Sequence, residues 1–360
     1  MSKLWLLYGA TGYSGKLIAQ QAIRQGLQPI LAGRSTAVYE LATSLGLSAR
    51  VFDLADRKAT LAALQAIDLV LNCAGPFSAT AQAMIKACLA RKAHYLDITG
   101  EIAVFEYAHS QHDEAREQGI VLCPGVGFDV IPTDCMAAAL KETLPDACEL
   151  MLGFDTASGL SPGTLKSMIE ALPLGGMVRQ DGRIIGVPLG YKIRTVDFGF
   201  GLKSAVTIPW GDISTAYRTT GIPNIETYIA IPKTVAYLMR YSNWTRGLLK
   251  RPAVQRFLKR CIEQWVKGPD AEQRATLRTA VWGQARNEHG DICSARIETD
   301  NGYALTITGA LALTQHLLGS APAQGGHYTP AKLCGWRLIE TLPGSGKMQI
   351  SILPSTSTAV

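Results

Sequence analysis

Residues 4–16, LWLLYGATGYSGK, constrain this chain more than any other stretch. A short apolar run breaks on three glycines spaced every third residue, Gly9, Gly12 and Gly15, and apolar residues then recur at helical spacing from Tyr13 to Arg24. A strand that turns on glycines straight into a helix opens a parallel βαβ unit. Glycine permits the tight turn and lets a phosphate approach the exposed amides of the helix, where the dipole favours negative charge. Two nucleotide loops share this look. The ATP-type loop needs Gly-x-x-x-x-Gly-Lys and then a hydroxyl for magnesium. Setting Gly15–Lys16 in that frame puts Ala10 where the first glycine belongs and Leu17 where the hydroxyl belongs, so it fails twice. The dinucleotide pattern is met, and the loop predicts a pyrophosphate seat.

The next hundred residues repeat the same grammar. Strands are predicted at Leu4 to Tyr8, Pro29 to Ala32, Val51–Phe52, Asp68 to Asn72, His94 to Asp97 and Ile120 to Cys123, with helices near 58–66, 79–91 and 103–118. Such alternation means an α/β, Rossmann-type doubly wound parallel sheet, whose strands are buried on both faces, as the run IDLVLN suits. After about residue 150 hairpin signals take over: QDG at 180–182, NEHGD at 287–291 and TDNG at 299–302. A second, α+β domain with a mixed or antiparallel sheet is therefore expected over 131–325, following a nucleotide domain over 1–130. The remaining segment, 326–360, holds a helix that begins near Pro330 and is expected to return to the first domain.

Cofactor choice is read at the end of the second strand, AGRS. An NAD site usually places an acid there for the ribose hydroxyls. Here Arg34 and Ser35 stand instead, and no acid follows before Glu40. A guanidinium and a hydroxyl suit a 2′-phosphate, which points to NADP(H). The small residues of NCAGPF, Cys73, Ala74, Gly75, Pro76 and Phe77, would let backbone pass close to the second ribose and nicotinamide. Asp53–Leu54 would flank the adenine, or else cap the helix that follows.

Composition narrows the alternatives. The net charge of +6 is too small to argue for nucleic acid, and the eight cysteines are scattered with no Cys-x-x-Cys pair. No stretch approaches the roughly 18 uninterrupted apolar residues of a spanning helix. The N-terminus is wrongly flanked for a secretory signal, so a cytoplasmic protein is expected.

GATGYSG, AGR, NCAGPF, YLDITGE (95–101) and PGVGFDVIPTD (124–134), in that order, resemble the saccharopine dehydrogenase-like oxidoreductases, and within them the trans-acting enoyl reductase branch. The resemblance is specific over about residues 4–140, weaker at SPGT (161–164) and GGHYTPAKL, and nearly absent across 180–280. It implies a Rossmann-type NADP(H) domain joined to a substrate domain, with the site in the cleft between them. Carried over by position, it puts Gly9, Thr11, Gly12, Tyr13, Ser14 and Gly15 on the pyrophosphate, Arg34 and Ser35 at the adenosine end, and Cys73 to Phe77 against the cofactor. Thr99, Gly100 and Glu101, with Gly127, Phe128 and Asp129, would line the nicotinamide end. The activity it implies is reduction of a C=C bond conjugated to a carbonyl, on a small-molecule or carrier-bound acyl substrate. C=N or C=O reduction is the alternative, and a non-catalytic NADP(H)-sensing or lipid-associated protein a third reading.

A hydride acceptor also needs a proton, and Glu101, Asp129 and Tyr95 are the candidate catalytic residues. Asp129 serves equally as a turn anchor, and Glu101 as the start of the next helix. Tyr-x-x-x-Lys, as short-chain dehydrogenases use, occurs at Tyr328–Lys332, too near the C-terminus and interrupted by Pro330. His109 and His112 lie three apart on a helix with no third ligand near in sequence, so no metal is expected. Finally, 240–267 holds eight Lys/Arg against Glu263, with Val254, Phe257, Leu258, Cys261, Ile262, Trp265 and Val266 at amphipathic-helix spacing. It reads as a helix packing its apolar stripe on its own domain or on a twin subunit of a homodimer, or as a dock for an acyl carrier protein or an anionic membrane surface.

Overall fold

The computed structural model describes residues 3–156, 165, 175–249, 251–265, 272, 276–319 and 324–353. SPGT, and Lys250 with the last two residues of the 240–267 segment, lie outside them. The chain divides into two compact units, Met1–Asp129 with Tyr303–Leu333, and Val130–Gly302 with Cys334–Val360.

In the first unit, β1 (Trp5–Tyr8), β2 (Ile30–Gly33), β3 (Ala49–Val51), β4 (Leu69–Asn72), β5 (His94–Asp97) and β6 (Val121–Cys123) form a parallel sheet. The order is β15-β6-β5-β4-β1-β2-β3, where β15 is Gly326–His327. The chain thus winds outward from β1 in both directions. That leaves a crevice at the carboxyl ends of β1 and β4, the place where open α/β sheets hold ligands. Leu6, Leu7, Leu31, Leu69 and Leu71 are fully buried, as the unbroken apolar strands require. Helix α1 spans Tyr13–Arg24 and buries Ile18, Ala19 and Ala22 against the sheet. Next come α2 (Ala37–Leu45), α3 (Arg57–Ala63) and α4 (Phe77–Arg91).

The single helix expected over 103–118 is two, α5 (Ile102–Ser110) and α6 (His112–Gln118), broken at Gln111, whose backbone leaves helical geometry. His109 and His112 therefore sit on different helices, and the His112 Nδ1 accepts the backbone N–H of His327 at 3.0 Å. TDNG closes no hairpin: its first two residues end a strand and Gly302 opens the helix Gly302–Gly319. The apolar residues after it follow helical, not alternating, periodicity, and Leu305, Ala310, Leu311, Leu313 and Leu317 are fully buried. The chain accordingly rejoins the first unit at Tyr303, ahead of the segment at 326 that the sequence suggested, and leaves it again after Leu333, so that Cys334–Val360 belong to the second unit rather than to the first as expected.

The second unit holds α7 (Ile131–Thr143), β7 (Glu149–Thr156), β8 (Gly176–Gln180), β9 (Arg183–Val187), β10 (Ile193–Asp197), β11 (Leu202–Thr207) and β12 (Asn224–Ala230). β13 (Arg278–Arg286), β14 (Ile292–Asp300) and β16 (Gln349–Leu353) complete a nine-stranded mixed sheet, in which β7 pairs parallel with β12 and antiparallel with β13. QDG and NEHGD turn the β8–β9 and β13–β14 hairpins. Helix α7 packs directly on β13: a Cβ on Gly283 would lie 2.7 Å from Met136 Sδ.

Candidate functional site

The glycine loop is built for close approach. Gly9 adopts φ +80° and donates its N–H to Ala32 O at 2.9 Å. A Cβ there would lie 2.7 Å from the backbone nitrogen of Ala74, so the loops after β1 and β4 touch backbone to backbone. At Gly15, inside the first turn of α1, a Cβ would collide with Gly9 O and sit 2.9 Å from Ala10 Cα. Gly12 caps α1 without a side chain, and the first turn carries no acid. The amides and dipole at this helix start thus keep their attraction for an anion, and Thr11, Tyr13 and Ser14 stand partly exposed around them. This tight glycine turn, with its exposed amides at the start of α1, fits a dinucleotide pyrophosphate.

Arg34 and Ser35 follow β2 and are exposed, with Ser35 Oγ accepting the Ala37 N–H at 3.2 Å. Beneath them Tyr8 is buried against Phe52, ring centroids 5.1 Å apart. Burial, then the Asp53 carboxylate, push its phenol up to about 12, while Arg34 opposes them. One phenol therefore feels both residues expected at the adenosine end. Asp53 is not the helix cap: its Oδ1 accepts Ala55 N–H in a local turn, whereas Asp56 accepts Ala59 N–H and caps α3. Leu54 packs against the core.

Asn72, at the end of β4, holds the Cys73–Phe77 loop. Its Oδ1 accepts Ala74 N–H at 3.1 Å, and its Nδ2 donates to Thr80 Oγ1 and to Tyr95 OH. Burial drives the Cys73 thiol well above the usual range, with Asp97 second, so it carries no thiolate. The loop contains a cis Gly75–Pro76 bond and leads into α4. Glu101 closes that helix start: its two carboxylate oxygens accept the N–H groups of Phe77 at 2.9 Å and Ser78 at 2.7 Å. Those bonds give Glu101 a capping role.

Asp97 organises the opposite wall. It is fully buried at the end of β5, paired in register with Asn72. Its carboxylate accepts Tyr95 OH at 2.7 Å, Thr99 N–H at 3.0 Å and Gly125 N–H at 2.9 Å. Burial pushes it up to about 6, against those hydrogen bonds. Tyr95 is equally buried, its phenol held far above the usual range by burial and by Asp97. Its hydroxyl is committed to this network. Thr99 Oγ1 then accepts Glu101 N–H at 3.0 Å. Gly100 lies against Asp129, since a Cβ there would be 2.8 Å from Asp129 Oδ2. Asp129 keeps some surface exposure, yet surrounding protein pushes its carboxyl up to about 7.

The fold thus gathers Thr99, Gly100, Glu101 and Asp129 beside the Cys73–Phe77 loop. Four residues that touch the expected site segments escaped the sequence reading: Asn72, Asp97, Tyr303 and Thr306. The Tyr303 ring meets Tyr13 edge-on at 5.1 Å, and Thr306 Oγ1 accepts Phe128 N–H at 3.0 Å. A Cβ on Gly127 would lie 3.0 Å from Thr306 Cγ2. Among the described residues no group of three or more His, Cys, Asp or Glu is arranged to hold a metal ion. No helix among them is long and apolar enough to cross a membrane.

Comparison with known proteins agrees with this geometry. Residues 5–123 match the saccharopine dehydrogenase NADP-binding domain. A protein of Mycobacterium tuberculosis named as a trans-acting enoyl reductase is 33% identical over 184 residues, covering 46% of this chain and 43% of that protein. The chain therefore matches less than half the length of that relative. A lipid droplet localized protein of Caenorhabditis elegans is 27% identical over 402 residues, covering 92% of this chain and 93% of its own length. Apo saccharopine dehydrogenase (L-Glu forming) from Saccharomyces cerevisiae shares the fold, with a TM-score of 0.65 at 13% identity, covering 98% of this chain and 100% of that one. The glycine cradle and the matched domain lead to one conclusion: residues 5–123 form an NADP-binding domain of the saccharopine dehydrogenase type.

Proposed function

We propose that the chain is an NADPH-dependent reductase of C=C bonds conjugated to a carbonyl, with Asp129 as proton donor. NADPH held by the glycine loop with Arg34 and Ser35 would supply the hydride that the β-carbon of such an acceptor needs, and Asp129 would give the proton that the α-carbon takes up. The observation that carries the reading is Asp129, a carboxyl pushed up to about 7, lying against Gly100 where β5 and β6 end. Raised in this way, the carboxyl keeps its proton at a higher pH than an ordinary aspartate and can donate it. Glu101 and Asp97 act through others. Glu101 fixes the start of α4 and the loop before it, and Asp97 ties together the loops at Thr99 and Gly125. Arg34 and Ser35 select the 2′-phosphate. The enoyl acceptor, small or carrier-bound, is supported by the relative named as a trans-acting enoyl reductase. We place the activity in the cytoplasm.

The test is NADPH consumption with an α,β-unsaturated thioester across pH. The wild-type rate should fall as pH rises through about 7, because the donor is lost as Asp129 ionises. Asp129→Asn should lower kcat by roughly 10²- to 10⁴-fold with NADPH affinity unchanged. A wild-type rate in that variant, or a flat profile between pH 6 and 8, removes Asp129 from the chemistry. Turnover of imine or ketone acceptors alone would replace the enoyl reading by C=N or C=O reduction. A second reading, a non-catalytic NADP(H)-sensing or lipid-associated protein, is favoured by the nematode relative, which aligns over 92% of this chain. Tight NADPH binding with no turnover of any acceptor would select it.

A further inference from the structure

The second unit turns an apolar surface outward between Lys233 and Trp265. This stretch folds as helices Lys233–Tyr241, Arg246–Leu249 and Pro252–Trp265, with a 3-10 turn at Ser242–Thr245. One side of it is anchored. Ala236 is fully buried, and a Cβ on Gly190 would lie 3.3 Å from Arg240 N and Cβ. Asn243 then grips the same loop, its Oδ1 accepting Leu189 N–H at 2.8 Å and its Nδ2 donating to Leu189 O at 3.0 Å. The anchoring turns the apolar side to solvent: Leu238 is 70% exposed, Tyr241 72% and Trp244 86%, one every third residue. Val235, Leu248 and Phe257 are exposed along the same stretch. Large apolar side chains grouped this openly mark an interaction site.

Charge decides the occupant. Residues 233–265 hold eight Lys/Arg against Glu263 alone, a net +7, whereas the whole chain carries +6. The entire positive excess of the protein is therefore concentrated on this stretch, with Arg240, Arg251, Arg256 and Arg260 exposed among the apolar residues. A second copy docked by two-fold symmetry would set like charge on like charge. An anionic bilayer meets every feature. Trp and Tyr rings settle at headgroup depth, aliphatic side chains enter the acyl boundary, and guanidinium groups pair with lipid phosphates. We propose that residues 233–265 dock this protein peripherally on an anionic bilayer surface. The reductase reading is independent of this, because a different unit carries the dock and its test reads lipid binding.

The full chain would be sedimented with vesicles of phosphatidylcholine alone and of phosphatidylcholine mixed with phosphatidylglycerol. Binding to the anionic vesicles should be at least about tenfold tighter and should weaken as salt rises. Leu238→Ser with Trp244→Ser should lower it about tenfold or more at unchanged melting temperature. Arg251→Gln with Arg256→Gln and Arg260→Gln should remove the preference for anionic lipid. Binding to neither vesicle, equal binding to both, or full binding by both variants overturns the proposal. So does a dimer that the Trp244→Ser variant dissolves, since the surface would then belong to a second copy. A bound acidic protein that excludes vesicles from the wild type likewise assigns it elsewhere.

Discussion

Gly15→Val abolishes NADPH binding, with affinity down by about a hundredfold or more, and lowers the melting temperature of the first unit. The added Cβ would collide with Gly9 O and approach Ala10 Cα at 2.9 Å. Neither can retreat, because both belong to the backbone that connects β1 to α1. Overpacking of this kind typically costs about 1–3 kcal/mol even where flexible side chains can yield. The relief available here is a shift of α1 away from the loop, which moves the amides that would meet the pyrophosphate. Gly9→Ala should act alike for a second reason, since φ +80° is strained for any side chain and Ala74 N stands 2.7 Å from the new carbon. Fluorescence titration and a thermal scan check both variants. Wild-type affinity in Gly15→Val would show that the nucleotide does not use this loop.

The second large effect is at Asp97. Asp97→Ala leaves the Tyr95 hydroxyl and the N–H groups of Thr99 and Gly125 without their acceptor in a fully buried place. Each stranded donor costs about 1–3 kcal/mol, so the three together should cost roughly 3 kcal/mol or more, enough to unfold the first unit under mild conditions. The same residue shapes stability against pH. Its folded-state value, about 6, lies above the ordinary carboxyl value. The folded chain therefore favours the protonated form, and stability declines as pH rises from about 4 through 6. Asp129, pushed up to about 7, contributes with the same sign over a slightly wider window. Urea denaturation of the wild type and of Asp97→Asn at several pH values checks this. The variant should show a flatter profile over that window, and an identical slope would remove Asp97 as its cause.

What the sequence revealed, it revealed where chemistry is local. Tyr13–Arg24 is the helix the spacing predicted, since the glycine turn and apolar period leave no alternative. The β3-β2-β1-β4-β5-β6 order follows from strands that alternate with helices. Two-residue β15 left no such trace, because its pairing with β6 joins residues some 200 apart and needs no pattern of its own. The break at Gln111 carried no glycine or proline to announce it. The parallel pairing of β7 with β12 amid antiparallel neighbours was likewise set by contacts distant in sequence.

The site divides in the same way. Gly9 and Gly15 could be read because only a missing side chain fits there. Asn72 and Asp97 did leave a signal: each is a polar residue ending a strand buried on both faces, and the two are paired in register. A buried polar group in such a place must have partners, and here those partners are the loops of the site. Tyr303 and Thr306 gave none, arriving on a helix nearly 180 residues after Phe128. The roles expected for Glu101 and Tyr95 rested on residue type, and geometry assigns them to a helix cap and a buried network instead.

The most direct test is a fluorescence titration of NADPH and NADH on the wild type and on Arg34→Ala. The wild type should bind NADPH at least about tenfold more tightly, a difference of about 1.4 kcal/mol, and Arg34→Ala should erase that preference while leaving NADH affinity unchanged. Equal affinity for the two cofactors in the wild type, or a preference that survives in Arg34→Ala, would contradict the placing of the 2′-phosphate at the end of β2.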